Sequence, residues 1–258
     1  MDGWRTFDRS ISTRSKGYCR HSIYRDRSKS FGATTLPSGE LLNPFQKKIL
    51  KAFTEIEESR AFYLTGGTAL SVFYLGHRLS EDFDLFTADE PLISIVARKF
   101  KSKLETLGIG VREIRSFASF WEAIASEGGE SFKIQLAYDS PFALEQPIER
   151  GDLRIQSFQD IAAGKLLALF GRAEERDFID VYFAVKNGGI SLQRLIELAK
   201  QKDPGLDEYY LAIAFEQSEK LPDDPSQLKV NLLAPIDPKD VKAFFAAQAV
   251  QLLEKHRP

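Results

Sequence analysis

The chain has 258 residues, of which 43% are hydrophobic and 28% charged, so it is long enough for one large domain or two small ones with a sizeable core. Its single cysteine, Cys19, excludes an internal disulfide framework and a multi-cysteine metal site. The three histidines lie far apart, which argues against histidine-based metal chemistry, and no apolar run approaches the roughly 20 residues of a membrane span. Because the N-terminus is polar and basic rather than apolar like a secretory signal, we expect a cytoplasmic protein with no membrane partner.

The net charge of −2 conceals an uneven distribution along the chain. Residues 1–30 contain eight Lys and Arg residues against three Asp, a net charge of +5, which leaves −7 for the rest of the chain. Residues 1–38 also lack apolar periodicity and end in a stretch rich in Thr, Pro, Ser and Gly, so we predict a disordered basic arm there. This arm is either a contact for nucleic acid or a partner, or solvated sequence without a folded role.

Apolar periodicity predicts the elements of the remaining chain. Its first half mixes helices and strands, in the order helix 40–60, strand 61–64, helix 68–75, strand 82–86, helix 92–107, and strands 109–116, 118–125, 131–138 and 153–156. Its second half is predicted to be helical, with helices at 158–171, 175–187, 191–202, 206–220 and 238–256. This order predicts an α+β fold in which a mixed sheet with flanking helices, residues 39–156, precedes a helical C-terminal subdomain, residues 157–258.

Two short segments carry residues suited to phosphate and metal chemistry. Gly66 and Gly67, followed by Thr68, lie between a predicted strand and helix, where backbone N–H groups can approach an anion such as a phosphate. Asp82 and Asp84 are two residues apart on a predicted strand, so both carboxylates leave the same face. Each feature alone is common in ordinary structure, but together they favour metal-assisted phosphoryl or nucleotidyl transfer, with Mg²⁺ or Mn²⁺ held by the two carboxylates.

A cationic group follows in the helical half. Lys165, Arg172 and Arg176 fall on one face of a continuous helix, where they suit the charge of a nucleoside triphosphate. If the helix breaks before Arg176, only Lys165 and Arg172 share that face. The alternative is a surface ion-pair array with Asp177 and Asp180.

The two segments together carry a family resemblance. The upstream block comprises Gly66-Gly67-Thr68-Ala69-Leu70, Arg78, Ser80, Asp82 and Asp84. The downstream block, K-x-x-A-x-x-x-R-x-x-x-R-D-x-x-D, comprises Lys165, Ala168, Arg172, Arg176, Asp177 and Asp180. Their order and separation resemble the AbiEii/AbiGii-type nucleotidyltransferase toxins of the DNA polymerase β-like superfamily, over roughly residues 40 to 250.

The resemblance implies a nucleotidyltransferase-like sheet and transfer of a nucleotidyl group from a nucleoside triphosphate to an acceptor, with tRNA as a candidate acceptor. It also implies a toxin of a toxin–antitoxin or phage-defence system, with a cognate antitoxin protein as partner. The catalytic residues that we assign are Asp82, Asp84, Lys165 and Asp177, of which Asp82 and Asp84 hold the metal. The nucleotide-binding residues that we assign are Gly66, Gly67, Thr68, Arg78, Ser80 and Arg172.

One position departs from the pattern of the superfamily. Polymerase β-like enzymes commonly carry a third carboxylate on a later strand, and the alternation in residues 132–137 places Gln135 at that position. Glutamine accepts through its oxygen but brings no negative charge, so binding of a second metal should weaken. Gln135 therefore leaves open a catalytically weakened nucleotide-binding protein of the same fold. A nucleotidyltransferase that modifies small molecules such as antibiotics also stays open, because it uses the same glycine and carboxylate chemistry.

Overall fold

The computed structural model describes residues 41–255; the predicted basic arm, residues 1–38, lies outside that range. The sheet-bearing part contains α1 (Pro44–Thr54), a 3₁₀ turn (Glu57–Ala61), β1 (Tyr63–Thr65), α2 (Gly66–Leu70) with a π-helical turn (Ser71–Leu75), β2 (Asp82–Thr87), α3 (Glu90–Thr106), β3 (Gly110–Phe117), β4 (Phe120–Glu127), β5 (Glu130–Tyr138), β6 (Ile148–Arg150) and β7 (Leu153–Ile155). The helical part contains α4 (Phe158–Arg172), α5 (Glu175–Asn187), α6 (Leu192–Lys202), α7 (Glu208–Glu216), 3₁₀ turns at Gln217–Lys220 and Pro225–Gln227, and α8 (Pro238–Lys255).

Within residues 41–255, seven strands form one mixed sheet in the order β3-β4-β5-β2-β1-β7-β6. The β2–β5 and β1–β7 pairs are parallel and the other neighbours are antiparallel. After β2 the chain passes through α3, forms the β3–β4 hairpin at the sheet edge, and returns as β5 beside β2. The α+β fold predicted from the order of elements is therefore confirmed.

Alternation along β2 and β5 gives the centre of the sheet an apolar face and a polar face. Phe83 and Leu85 of β2, like Ile134 and Leu136 of β5, are fully buried and share a hydrophobic cluster with residues of α3. The intervening residues of both strands point to the opposite face, which is therefore polar. A second hydrophobic cluster joins residues of α4 through α8. None of the helices of the described chain combines the length and apolar character that crossing a membrane requires.

Several predicted boundaries differ from the observed ones, and two of the differences have a clear local cause. The helix predicted over 40–60 ends at Thr54, because Ile56 adopts an extended backbone and turns its side chain into the core before the 3₁₀ turn begins. The helix predicted from residue 206 begins at Glu208, where the Asp207 side chain caps the free N–H groups of Tyr209 and Tyr210. Strand β6 was not predicted, since Ile148 is its single apolar residue.

The start of α4 shows how the helical half is joined to the preceding loop. The Ser157 hydroxyl accepts the Asp160 N–H at 3.0 Å and so caps the first turn of the helix. The Asp160 carboxylate accepts the N–H groups of Leu144 and Glu145, both at 3.0 Å. Lys202 of α6 also binds this carboxylate at 2.9 Å, so Asp160 fastens the loop before β6 to two helices.

Candidate active site

A cleft of about 460 Å³ opens on the polar face of the sheet and brings the two sequence blocks together. The predicted site residues that line it are Gly67, Arg78, Ser80, Asp82, Asp84, Lys165 and Arg172. Arg176, Lys133, Gln135 and Lys229 line it as well. The predicted residues Gly66, Thr68 and Asp177 lie outside the lining, and each contacts a residue that belongs to it.

The two carboxylates of β2 project into the cleft, as the alternation predicts. Asp82 accepts a hydrogen bond from the Ser80 hydroxyl at 3.2 Å, and its Oδ2 lies 3.3 Å from Lys133 Nζ. Burial, and next the negative charge of Asp82, raise the pKa of Asp84 to about 7 although Lys165 and Lys133 act in the opposite direction. The pair is therefore a concentration of negative charge that a bound cation would relieve.

Both positions of the turn require glycine, because a side chain of the cleft lies where a Cβ atom would be. A Cβ on Gly66, whose φ is +68°, would lie 1.8 Å from Asp84 Oδ2. A Cβ on Gly67 would lie 2.5 Å from Nη2 of Arg78. The Thr68 hydroxyl donates to the backbone oxygen of Asp82, so it ties the turn to β2. Both glycines and Thr68 therefore shape the carboxylate site directly, a reason that the sequence pattern did not reveal.

Asp180 links the upstream and downstream blocks. Its carboxylate is fully buried and accepts Nε and Nη2 of Arg78 at 2.6 and 2.9 Å, Nε2 of His77 at 2.8 Å, and Nζ of Lys165 at 2.8 Å. Burial alone would raise the pKa of Asp180, but Lys165, Arg78 and His77 together hold it well below its usual range. Asp180 thereby fixes Arg78 and Lys165 in the cleft wall. The sequence placed Asp180 in the downstream block but assigned it no role in the site.

Asp177 occupies a similar position behind Arg172. It is fully buried and accepts Nε and Nη2 of Arg172 at 2.7 and 2.9 Å. Helix α4 ends at Arg172, and Ala173 takes a left-handed conformation with φ of 50°, so Arg176 belongs to the next helix. Arg176 nevertheless reaches the same cleft, because the turn between α4 and α5 brings both guanidinium groups to one rim.

A segment between α7 and α8 completes the opposite wall and carries no sequence signal. Asn231 accepts the Leu79 N–H at 2.8 Å through its backbone oxygen, and its side chain donates to Glu81 at 3.2 Å. Leu233 N–H donates to the backbone oxygen of His77 at 2.9 Å. Lys229 enters the cleft from this segment. Its 3₁₀ turn and extended residues have neither helical nor strand periodicity, so nothing in the sequence pointed to the site.

The residues present fit a divalent cation. Asp82 and Asp84 supply hard oxygen donors from one face of a strand. Burial and, second to it, the charge of Asp82 raise the pKa of Asp84, and a bound cation would offset both effects. Within residues 41–255, no three side chains of His, Cys, Asp or Glu come together as a metal site. Glu81 also lines the cleft, but its carboxylate accepts the Asn231 side chain at 3.2 Å, so the candidate cation site in this part of the chain is the Asp82–Asp84 pair.

A mixed sheet with paired carboxylates on one strand, facing a cationic helical wall, defines a nucleotidyltransferase-like protein. Residues 48–255 match the family model described as nucleotidyl transferase AbiEii toxin, type IV toxin–antitoxin system. The match spans most of the chain, and the chain belongs to this family of nucleotidyltransferase toxins.

The chain is also similar to individual proteins and solved structures. The chain is 34% identical over 165 residues to an uncharacterised protein of Aquifex aeolicus, covering 63% of this chain and 76% of that one. A candidate nucleotidyltransferase from Helicobacter pylori superposes with a TM-score of 0.53 at 20% identity, covering 81% of this chain and 93% of that one. The nucleotidyltransferase toxin MenT4 from Mycobacterium tuberculosis gives a TM-score of 0.52 at 16% identity, covering 80% and 82%. At these identities the two structures support the fold.

Proposed function

We propose that this toxin transfers a nucleotidyl group from a nucleoside triphosphate to tRNA in a reaction that requires Mg²⁺ or Mn²⁺. The observation that carries the proposal is the juxtaposition, across one cleft, of the Asp82–Asp84 pair with Lys165 and Arg172. Carboxylates facing fixed cations suit a metal-bound triphosphate, because each half of the site complements one charge of that ligand.

The carboxylate side of the cleft holds the cation and positions the residues around it. Asp82 and Asp84 hold the divalent cation, which when bound neutralises phosphate charge and polarises the phosphoryl group. Gly67 lines the cleft in which the triphosphate lies, and Gly66 and Thr68 hold this turn against Asp84 and Asp82. Ser80 orients Asp82, with which it shares a hydrogen bond.

The cationic wall balances the charge of the triphosphate. Lys165 and Arg78, both anchored by Asp180, face the charge that develops on the leaving pyrophosphate. Arg172 contacts the outer phosphates, and Asp177 acts as a positioning residue, since both of its oxygens are committed to that guanidinium.

The group transfer exchanges a phosphoanhydride bond for a phosphoester bond. An acceptor hydroxyl oxygen forms a bond to the α-phosphorus, the bond from that phosphorus to the bridging oxygen breaks, and pyrophosphate leaves while the hydroxyl proton passes to water. The protein contributes by holding the hydroxyl and the α-phosphate in line and by offsetting the charge on the pyrophosphate.

The acceptor proposal is consistent with the distribution of charge. The chain outside residues 1–30 carries −7, so it attracts RNA poorly as a whole. Recognition of tRNA therefore depends on the cations at the cleft rim, where the Arg172 and Arg176 side chains are 44% and 43% exposed, and on the basic arm.

Growth arrest tests the proposal in cells. Induced expression of the wild-type chain should arrest growth, and Asp84→Ala should abolish the arrest at an equal protein level. Asp89→Ala, which removes an exposed carboxylate just beyond β2, is the matched control and should leave the arrest intact. Arrest that persists in Asp84→Ala would contradict a transfer-based mechanism.

A second candidate is a nucleotide-binding protein without transfer, and Gln135 is the observation that favours it. Its Nε2 donates to Glu122 at 2.6 Å, so a neutral amide stands where related enzymes carry an acid. Metal-dependent binding of a nucleoside triphosphate with no product on tRNA would support this candidate. Labelling of small hydroxylated acceptors instead of tRNA would identify a small-molecule transferase.

A further inference from the structure

Strand β5 faces the aspartate pair with a lysine and an amide. The parallel pairing of β2 and β5 sets Asp82 opposite Lys133 and Asp84 opposite Gln135. Paired residues on neighbouring strands project to the same face, so all four side chains meet in the cleft. The strand beside the carboxylates therefore contributes one positive charge and one neutral group.

Lys133 already neutralises part of the carboxylate pair. Its ammonium lies 3.3 Å from Asp82 Oδ2, and its side chain is 35% exposed, so it borders the open cleft. A second divalent cation that shared Asp82 would have to lie beside this ammonium, and the two like charges would repel. The Lys133 ammonium therefore occupies the place beside Asp82 that a second cation would need.

Two further carboxylates lie near the site, Glu81 and Glu122, and neither compensates for Gln135. Glu81 lines the cleft, but its carboxylate accepts the Asn231 side chain at 3.2 Å. Glu122 is the partner of Gln135 in register on β4, but Glu122 lies two strands from Asp84, about 10 Å away. One Glu122 oxygen accepts from Gln135 at 2.6 Å and the other from Arg115 at 3.3 Å. Since both oxygens are committed, Glu122 fixes the Gln135 amide rather than ligating a metal.

We infer that this site takes a single divalent cation, between Asp82 and Asp84, and that Lys133 supplies the second positive charge to the triphosphate. A cation held by Asp82 would take the place of the Lys133 ammonium there, and Lys133 would then be free to bind a phosphate oxygen. Gln135, held by Glu122, leaves the site without the third negative charge that a second ion would need. The inference rests on the proposed function and adds to it a metal count and a further substrate-contacting residue.

The test counts bound Mn²⁺ by electron paramagnetic resonance on the full chain. With a saturating α,β-methylene nucleoside triphosphate, which binds without transfer, the wild type should bind one Mn²⁺ per chain. Two Mn²⁺ per chain would overturn the inference while leaving the metal-dependent function intact. No bound Mn²⁺ at all would overturn the proposed metal dependence, and the inference with it.

Substitution of Lys133 provides the second readout. Without nucleotide, Lys133→Met should bind Mn²⁺ roughly threefold or more tighter than the wild type, because Asp82 loses a competing cation. With saturating Mn²⁺, the same variant should bind the analogue more weakly, and Lys133→Arg should restore that binding. Lys229→Met is the control for Mn²⁺ affinity, since it removes the same charge from the same cleft while Lys133 keeps its contact with Asp82. Unchanged Mn²⁺ affinity in a Lys133→Met protein that melts like the wild type would overturn the inference.

Discussion

The Arg78 guanidinium binds the Asp180 carboxylate through two hydrogen bonds, at 2.6 Å from Nε and 2.9 Å from Nη2, across 102 residues of the chain. This contact joins the loop that leads into the strand of the aspartate pair to the helical half that carries Lys165. It therefore turns two separate sequence blocks into one site, and its loss should affect both stability and activity.

Replacement of Asp180 by Asn should be strongly destabilising. The substitution leaves Arg78 and Lys165 buried without their counter-charge, and removal of one partner from a buried ionic network typically costs about 3–5 kcal/mol. Urea unfolding followed by circular dichroism measures the change. Asp223→Asn, which removes a largely exposed partner of Lys242, should leave the midpoint unchanged. Equal midpoints for the two variants would contradict the role of Asp180 as the buried counter-charge of the two blocks.

Asp84 should lower stability in a pH-dependent way. Its pKa in the folded chain is about 7, above its ordinary value of 3.8, so between these values the unfolded chain releases a proton that the folded chain keeps. The carboxyl group thus costs nothing below about pH 4, and its full cost, on the order of a few kcal/mol, is reached above about pH 7.

The neutral variant Asp84→Asn should consequently melt at a higher temperature than the wild type at pH 8 and at the same temperature near pH 4. Thermal melts without divalent cations provide the measurement. Added Mg²⁺ should raise the melting temperature of the wild type and not that of the variant. A stabilisation of equal size at both pH values would show that ionisation of the buried Asp84 carboxyl group is not its cause.

Lys165 and Asp177 should have separable kinetic effects. Lys165→Met removes a cation that faces the leaving group, so kcat should fall by about 10²-fold with a smaller change in KM. Asp177→Asn loosens Arg172 without touching substrate, so KM for the nucleoside triphosphate should rise while kcat changes less. Steady-state kinetics over a range of triphosphate concentrations separate the two, and a dominant kcat effect in Asp177→Asn would place that carboxylate in the chemical step instead.

The basic arm should contribute to RNA affinity through its charge. Deletion of residues 1–30 removes a net charge of +5, so tRNA binding should weaken and its dependence on salt concentration should flatten. Filter binding across a salt series measures the slope. An unchanged slope would mean that the arm makes no contact with the phosphate backbone.

The elements and the polar face of the sheet were accessible from the sequence because both depend on local periodicity. The alternation at Asp82 and Asp84 placed both carboxylates in the cleft, and that at Lys133 and Gln135 placed them on one face. The pairing of Asp82 with Lys133 could not be predicted, since it depends on the register between strands that are separated by a helix and a hairpin.

The hydrogen bonds around Asp180 could not be predicted from the sequence either. Its partners His77 and Arg78 lie on a loop far from it in sequence, and burial decides which of several charged neighbours it binds. Residues 229–231 reached the cleft through backbone hydrogen bonds to the loop before β2, which leave no residue-specific pattern. Long-range contacts of this kind cannot be predicted from the local sequence pattern.

Transfer of label from an α-³²P nucleoside triphosphate to tRNA, followed on a denaturing gel, tests the role of the aspartate pair most directly. The wild-type chain with Mg²⁺ should label the tRNA and release unlabelled pyrophosphate, and chelation by EDTA should stop the reaction. Asp84→Asn, which removes the charge and keeps the shape of the side chain, should yield no labelled tRNA, while Asp89→Ala should label it like the wild type. Undiminished labelling by Asp84→Asn would contradict the assignment of the reaction to the two carboxylates of β2.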